Sequence, residues 1–138
     1  MELRVGLDLV SIAEVRRSIA NHGEHYLSRV FTEREVADCG GPELASAAGL
    51  AGRFAAKEAT IKALASSDDA TPWADIEVVR GARGEPTLRL AGLFADIAHD
   101  AGLTGFSVSI THEGEYAAAA VIAYQTLRTS AVGRIIDE

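Results

Sequence analysis

Sulfur, aromatic rings and long apolar runs are all scarce in this chain of 138 residues. A single cysteine, Cys39, cannot form an internal disulfide, which favours a reducing compartment and predicts a cytoplasmic location. No apolar run approaches the roughly 20 residues that span a bilayer. The first ten residues carry charge and a turn signal too early for a signal peptide. We therefore expect neither a membrane protein nor a secreted, disulfide-rich one.

Positive charge is also in short supply. The chain has 13 lysines and arginines against 20 aspartates and glutamates, a net charge of −7. That balance argues against binding to nucleic acid, where affinity depends on cationic contacts to phosphates. An anionic ligand would instead need a local cluster of positive groups. The remaining composition, 48% hydrophobic and 24% charged, is ordinary for a globular protein, and the length fits one domain.

Alternating apolar residues, helix caps and glycine turns predict an α+β domain over residues 1–125. The tail, 126–138, lacks a clear pattern and is expected to fray. Capping boxes at Ser11 and Thr32 predict two helix starts. The predicted strands are 3–10, 75–80, 86–90, 106–111 and 116–124, and the predicted helices are 11–20, 32–40, 43–66 and 92–101. Loops or turns are expected at 66–72, 81–85 and 112–115.

Asp8 lies inside the first predicted strand, in the apolar stretch VGLDLV. A carboxylate there is costly to bury unless a positive group satisfies it. Gly6, two residues earlier, would let another group approach the backbone closely. The alternative is that Asp8 lies on a solvated strand face or caps the next helix, and the residue taken alone favours that alternative.

Four charges interrupt the long predicted helix in the stretch RFAAKEATIK, residues 53–62. Glu58 and Lys62 are four residues apart, which allows a surface ion pair worth about 0.2–0.5 kcal/mol. Arg53 and Lys57 have the same spacing but like charges, and an anion such as phosphate held against the helix would explain them. Asp8 and Glu58 together would form a hard-oxygen pair suited to Mg²⁺, whose remaining ligands are waters and phosphate oxygens.

Five motifs resemble those of the holo-acyl-carrier-protein synthase family of 4′-phosphopantetheinyl transferases. The stretch GLD at 6–8 is similar to the family's G-I/L-D strand, and residues 53–62 are similar to its R-F-A-x-K-E-A-x-x-K helix. The other three are F-T-x-x-E at 31–35, G-x-P at 84–86, and H-V-S-I/L-S/T-H at 107–112, which differs in its first residue. The resemblance runs from about residue 5 to residue 123.

This resemblance implies an antiparallel sheet wrapped on one long helix, with active sites between the subunits of a homotrimer. It implies a Mg²⁺-dependent enzyme of fatty-acid biosynthesis that moves the phosphopantetheine arm of coenzyme A to a serine of an apo carrier protein, releasing 3′,5′-adenosine bisphosphate. Two alternatives stay open: a Mg²⁺-dependent nucleotide or pyrophosphate hydrolase, and a non-catalytic module that binds carrier proteins or coenzyme A. The sequence does not decide between fatty-acid, polyketide and peptide carriers.

The resemblance also implies roles for particular residues. Asp8 and Glu58 fall where the family's metal ligands lie, and Lys62 should touch the phosphates and stabilise the leaving oxygen. Glu58, directly or through a metal-bound water, is the best candidate to accept the serine proton. The expected coenzyme A contacts are Arg53, Phe54, Lys62, Gly84, Pro86, Ser107, Ser109 and Thr111, and the expected carrier contacts are Arg16, Arg17 and Arg29.

Four positions depart from the family's usual residues. Ser107 replaces a histidine, Ala65 a glycine, Glu85 a lysine, and Glu14 an arginine that often faces the carrier protein. Because carrier proteins are acidic, Glu14 would repel them unless neighbouring arginines restore the local field. These departures predict an unusual carrier partner or weakened activity.

Overall fold

The computed structural model describes residues 2–67, 71–126, 128–129 and 135–136. Parts of the expected loop at 66–72 and of the expected tail at 126–138 therefore lie outside the described residues. Within the described part of the chain, every helix is too short or too polar to cross a membrane.

The described elements confirm the α+β class. The helices are α1 (Ile12–His22), α2 (Glu24–Val30), α3 (Glu33–Asp38), α4 (Ala47–Ala63) and α5 (Gly92–Asp100), with a short 3₁₀ turn at Trp73–Asp75. The strands are β1 (Leu3–Ser11), β2 (Ile76–Arg80), β3 (Pro86–Leu90), β4 (Gly105–Glu113), β5 (Tyr116–Tyr124), β6 (Arg128–Thr129) and β7 (Ile135–Ile136).

One antiparallel sheet, in the order β1-β5-β4, packs one face against α4. Alanines make this packing close. Ala51, Ala55 and Ala59 on the helix and Ala117 and Ala123 on β5 are all fully buried. Small side chains on both surfaces let the helix lie near the strand backbone, so polar groups at the sheet edge come within reach of the helix. β2 and β3 form a separate hairpin, and β6 pairs with β7.

The opposite face of this sheet is apolar and exposed. Leu3, Val5, Leu7 and Leu9 of β1 are each at least 65% exposed, and Ile122, opposite Val5, is 40% exposed. The predicted alternation along β1 is therefore correct, but its large apolar residues point away from the core. The buried positions of the strand are Gly6 and Val10.

The long helix was predicted over 43–66 and is shorter at both ends. It begins after Ser46, whose hydroxyl accepts the N–H of Gly49 at 3.0 Å, because this cap fixes the first turn. Residues 43–45 are good helix formers, but they precede the cap and therefore lie outside the helix. At the other end the chain leaves the helix at Ala65, which has a positive φ of 53°.

Three further differences are local. α1 extends to His22, two residues beyond the prediction, and ends at Gly23 with a positive φ. α2 was not predicted, because its N-cap, Gly23, offers no side-chain hydrogen bond as a signal. β4 continues through His112 and Glu113, so the turn to β5 consists only of residues 114 and 115.

Candidate active site

Asp8 lies on the inner face of β1, opposite Ala119, and its side chain is 15% exposed. The Lys62 ammonium donates to Asp8 Oδ1 at 2.9 Å and to the carbonyl of Leu7 at 2.9 Å. A positive group thus compensates the partly buried carboxylate. The reading of Asp8 as a solvated residue or a cap is wrong, because Ser11 caps α1 and Asp8 faces α4.

Gly6 makes this meeting of strand and helix possible. A Cβ atom at position 6 would lie 1.8 Å from the carbonyl oxygen of Ala59 and 2.9 Å from the amide nitrogen of Ala63. Only glycine allows such an approach, which confirms the expectation that another group lies against the backbone here. The same close approach sets Asp8 beside the last turn of α4.

Glu58 is half-buried and lies one turn before Lys62, on the same face of α4. Asp8 on β1 and Glu58 on α4 thus place two carboxylates at the C-terminal half of α4, and Lys62 pairs with the first of them. The described residues contain no group of three or more metal-binding side chains. Mg²⁺ does not need one, since it is usually held by one or two carboxylates with waters and phosphate oxygens completing its six ligands. The donor set therefore fits Mg²⁺.

Lys57 does not join Arg53 in holding an anion, and that expectation is wrong. Its side chain turns into the core, is fully buried and pairs with Glu35 at 2.7 Å. The reason is its place in the apolar stripe of α4, between Phe54 and Ile61. Burial lowers the pKa of the Lys57 ammonium, and the Glu35 carboxylate opposes that shift.

Arg53 instead borders a cavity of about 190 Å³ between α4 and the β2–β3 hairpin. Gly84 and Pro86, both predicted to bind coenzyme A, line the same cavity, together with Val78, Arg80 and Ile110. Arg53 Nη1 donates to the carbonyl of Gly49 at 3.3 Å, whereas Arg53 Nε is buried with no hydrogen-bond partner within the described structure. Such an orphaned donor beside a second arginine is suited to an anionic ligand.

Arg80 was not among the site residues predicted from the sequence. It ends β2, next to the turn that carries Gly84, and one of its terminal nitrogens donates to the carbonyl of Asp38 at 3.0 Å. The available signal was a cation at the end of a strand, four residues before the G-x-P motif. That signal becomes specific only when the fold brings it opposite Arg53.

Phe54 packs against Trp73, with ring centroids 5.0 Å apart and an angle of 49° between the rings. Both rings are partly buried against the core. Phe54 follows Arg53 on α4, and its ring contacts the ring of Trp73.

Ser107, Ser109 and Thr111 are not brought to Asp8 within one chain. All three are exposed and lie on the outer face of β4, in register with Ile122, Ala120 and Ala118. Asp8 faces the opposite side of the sheet. These predicted coenzyme A contacts therefore belong with the exposed apolar face, not with the helix face.

The expected carrier-binding arginines are all at the surface. Arg16 and Arg17 are exposed on α1, as is Arg29 on α2, and Glu14 is exposed beside the first two. Glu85 does not line the cavity, and its carboxylate accepts the N–H of Arg83 at 2.9 Å. Glu85, which replaces the family's usual lysine, is therefore bonded within its own turn.

The α+β fold places two carboxylates and a lysine on β1 and α4, and it places two arginines around a cavity that the same helix borders. Groups of these kinds suit a protein that handles phosphate groups. The model of the 4′-phosphopantetheinyl transferase superfamily matches residues 4–121. The chain belongs to this superfamily.

Two relatives and one solved structure illustrate the similarity. A holo-acyl-carrier-protein synthase of Desulforudis audaxviator is 40% identical over 123 residues, which is 89% of this chain and 93% of that protein. One of Gloeobacter violaceus is 42% identical over 118 residues, 86% of this chain and 89% of that protein. The ACPS–CoA complex of Chronobacterium ammoniagenes superposes with a TM-score of 0.79 at 28% identity, over 91% of this chain and 99% of that one.

Proposed function

We propose that this chain is a holo-acyl-carrier-protein synthase, which transfers the 4′-phosphopantetheine arm of coenzyme A to a serine of an apo carrier protein. The observation that carries this proposal is the meeting of the two family motifs in space. Asp8 of the GLD strand and Lys62 of the long helix are bonded at 2.9 Å, with Glu58 one turn away. The two holo-acyl-carrier-protein synthases compared above align over 89% and 86% of this chain.

Asp8 and Glu58 are the proposed ligands of a magnesium ion. When bound, magnesium supplies positive charge that neutralises and orients the pyrophosphate oxygens of coenzyme A. Asp8 suits this role because β1 and α4 fix its carboxylate in a partly shielded place. Glu58 suits it because it projects from a helix that the alanine-lined sheet holds rigidly.

The transfer itself asks little covalent help from the protein. The serine oxygen of the carrier forms a bond to the phosphorus that bears the pantetheine, and the bond from that phosphorus to the bridging oxygen breaks. The electron pair leaves with 3′,5′-adenosine bisphosphate. Lys62, with its ammonium at the site, stabilises the charge on the departing oxygen, and Glu58 accepts the serine proton.

The cavity beside Arg53 is the proposed place of the nucleotide end of coenzyme A. Arg53 and Arg80 present two guanidinium groups there, and the G-x-P turn leaves Gly84 without a side chain. In a chain with a net charge of −7, this local pair of cations provides the attraction that the overall charge does not. Phe54 borders the same end of the helix.

A second copy of the chain is needed to complete this site. Ser107, Ser109 and Thr111 share the outer sheet face with Val5, Leu7 and Leu9, where large apolar side chains are exposed. An apolar patch of this kind marks an interface. We propose that this face joins neighbouring copies in a homotrimer and carries the three hydroxyl groups to the neighbour's coenzyme A.

The carrier protein is proposed to dock on α1 and α2, where Arg16, Arg17 and Arg29 are exposed. Acidic carriers would be steered by these arginines. Glu14 lies among them and should disfavour carriers that place an acid at that point. A cytoplasmic location, expected from the single cysteine, stays a prediction.

Mass spectrometry tests the function directly. The purified protein is incubated with coenzyme A, Mg²⁺ and a panel of apo carriers of the fatty-acid, polyketide and peptide types. The proposal predicts that one or more carriers gain the mass of the phosphopantetheine arm. Release of the bisphosphate without any carrier would instead indicate a hydrolase. Coenzyme A binding with neither product would indicate a non-catalytic module.

A further inference from the structure

A buried ion pair lies one residue from the proposed metal site, and the transfer chemistry above does not use it. Lys57 Nζ lies 2.7 Å from Glu35 Oε1, and neither side chain is exposed to solvent at all. Lys57 immediately precedes Glu58 on α4, yet its side chain is fully buried in the core, whereas Glu58 is half-buried. Burying two charges in a small core is costly, because both lose their hydration.

The polar atoms of this pair are satisfied by contacts to several segments of the chain. Lys57 Nζ also donates to the carbonyls of Trp73, at 3.1 Å, and of Ile76. Glu35 Oε1 accepts the N–H of Thr32 at 2.9 Å, and Glu35 Oε2 accepts the N–H of Val78 at 2.9 Å. The pair thus ties α4 to the start of α3, to the 3₁₀ turn and to β2.

One of those links leads to the coenzyme A cavity. Val78, whose N–H is bonded to Glu35, also lines the cavity, and Arg80 follows two residues later on the same strand. The opposite wall is Arg53, one turn before Lys57 on α4. The distance between the two guanidinium groups therefore depends on how β2 sits against α4.

Stability alone does not explain the arrangement. Replacing a buried ion pair by apolar residues of similar volume is often neutral or stabilising, because the desolvation of both charges is costly. Directional hydrogen bonds do what apolar contacts cannot: they fix one strand in one register against one helix. The pair is therefore suited to setting a position rather than to adding stability.

We propose that Lys57 and Glu35 are positioning residues, which hold β2 against α4 and so set the spacing of Arg53 and Arg80 for coenzyme A. This inference rests on the proposed function, because it assigns the cavity to coenzyme A. It goes beyond that function by assigning binding geometry to two residues that touch no substrate.

The test is the double variant Lys57→Met/Glu35→Gln, in which both charges are removed while the introduced amide oxygen can still accept the N–H of Thr32. Circular dichroism and thermal melting establish that the variant folds. Calorimetry then measures the Kd for coenzyme A, and steady-state kinetics measures kcat and both KM values. We expect the Kd and the KM for coenzyme A to rise about tenfold or more, since a shift of about 1 Å in a binding group has effects of this order. The KM for the carrier should stay near the wild-type value.

Two further variants keep the result interpretable. Glu35→Asp retains the negative charge but withdraws the carboxylate by one methylene from Lys57 and from the N–H of Val78, so it should weaken coenzyme A binding several-fold. Leu103→Ala removes a buried side chain outside the network and the cavity, so it lowers stability but should leave the Kd unchanged.

Wild-type affinity for coenzyme A in either folded variant at Glu35 would overturn the inference. Equal weakening in the Leu103→Ala control would also overturn it, because the effect would then be general destabilisation. A wild-type protein that neither binds coenzyme A nor modifies a carrier would overturn the proposed function, and the inference with it. The wild-type measurement thus separates the two failures.

Discussion

At the scale of single residues, neighbours in sequence serve opposite purposes. Lys57 is buried in a structural ion pair, and Glu58, the next residue, lies half-buried on the side of the proposed metal. The helical period explains the difference, because adjacent residues on a helix point about 100° apart. Lys57 belongs to the apolar stripe that the sequence predicts, so its burial was available as a signal. Its partner, Glu35, is 22 residues away, and only the fold brings the two together.

Lys62 gives a prediction about metal binding that is separate from catalysis. Its ammonium neutralises Asp8 in the structure, so it competes with a cation for the same carboxylate. Without coenzyme A, the Lys62→Met variant should bind Mn²⁺ more tightly, by up to about fivefold, because a half-exposed ion pair is worth at most about 1 kcal/mol. Titration followed by electron paramagnetic resonance measures this, and transfer activity should fall at the same time.

The matched control is Arg4→Met, which removes a cation from the same strand but one that pairs with Glu2. Its Mn²⁺ affinity should equal that of the wild type. A Lys62→Met affinity no higher than that of the control would show that Lys62 does not shield Asp8.

At the scale of elements, α4 ends in a Schellman motif that its sequence only partly supports. The N–H of Ser66 donates to the carbonyl of Ile61 and the N–H of Ala65 to that of Lys62, both at 3.0 Å. Ala65 occupies the left-handed position, with φ at 53°, where glycine is usual. Glycine, the family's usual residue at this position, would adopt this conformation without strain. Ala65 instead places a strained backbone residue three positions after Lys62.

Ala65→Gly should therefore stabilise the protein. In the left-handed conformation alanine is roughly 1 kcal/mol less favourable than glycine, so the substitution removes that strain. The greater freedom of glycine in the unfolded chain offsets part of the stabilisation. We expect the free energy of unfolding in urea to rise by about 0.5–1 kcal/mol. The control, Ala101→Gly, changes a helix-end alanine with an ordinary φ of −85° and should lower stability instead. A loss of stability in Ala65→Gly would contradict this account of the helix end.

The contact of β1 with α4 gives the second prediction at this scale. Gly6→Ala places a methyl group against the backbone of Ala59, which cannot move aside as a side chain can. We expect a loss of about 1–3 kcal/mol in the free energy of unfolding, and lower transfer activity as Asp8 moves away from Lys62. Gly52→Ala meets only a side-chain methyl of Ile110, so its cost should be clearly smaller. An equal loss of unfolding free energy in Gly6→Ala and Gly52→Ala would show that the backbone contact at Gly6 is unimportant.

Local signals in the sequence predict the elements better than they predict their contacts. The capping box at Thr32, with both of its hydrogen bonds, and the β2–β3 hairpin around Gly84 follow from neighbouring residues alone. α2 lacks such a signal at its N-cap. Arg53 and Arg80 line the same cavity, and Ser107 and Asp8 lie on opposite faces of the sheet. Both placements depend on how distant elements pack, which no local pattern encodes.

At the scale of the whole molecule, the two faces of one sheet carry different groups. Its inner face holds α4 and the carboxylates, and its outer face exposes leucines beside the three hydroxyl residues of β4. A large exposed apolar face of this kind marks an interaction site. The homotrimer proposed above would cover this face and supply each site from two chains.

Leu7→Lys tests that assembly, since Leu7 is 65% exposed at the centre of the outer face. The wild type should have a mass in solution of three times the chain mass of 14.5 kDa, and the variant should have the mass of one chain, by light scattering. Buried lysines without partners oppose association. The variant should also lose transfer activity, although its own Asp8 and Glu58 are intact.

Leu44→Lys is the control, because Leu44 is an exposed leucine, at 82%, on a turn away from the sheet. Its mass and activity should be unchanged. A monomeric wild type with full activity would refute the shared site.

We propose that Asp8 and Glu58 bind one divalent cation that holds the diphosphate of coenzyme A. Crystals grown with coenzyme A and Mn²⁺, measured at a wavelength where manganese scatters anomalously, test it most directly. We expect one anomalous peak within about 2.1 Å of a carboxylate oxygen from each residue and of a phosphate oxygen. Ordered coenzyme A with the two carboxylates too far apart to share an ion, within a chain or between neighbours, would contradict it.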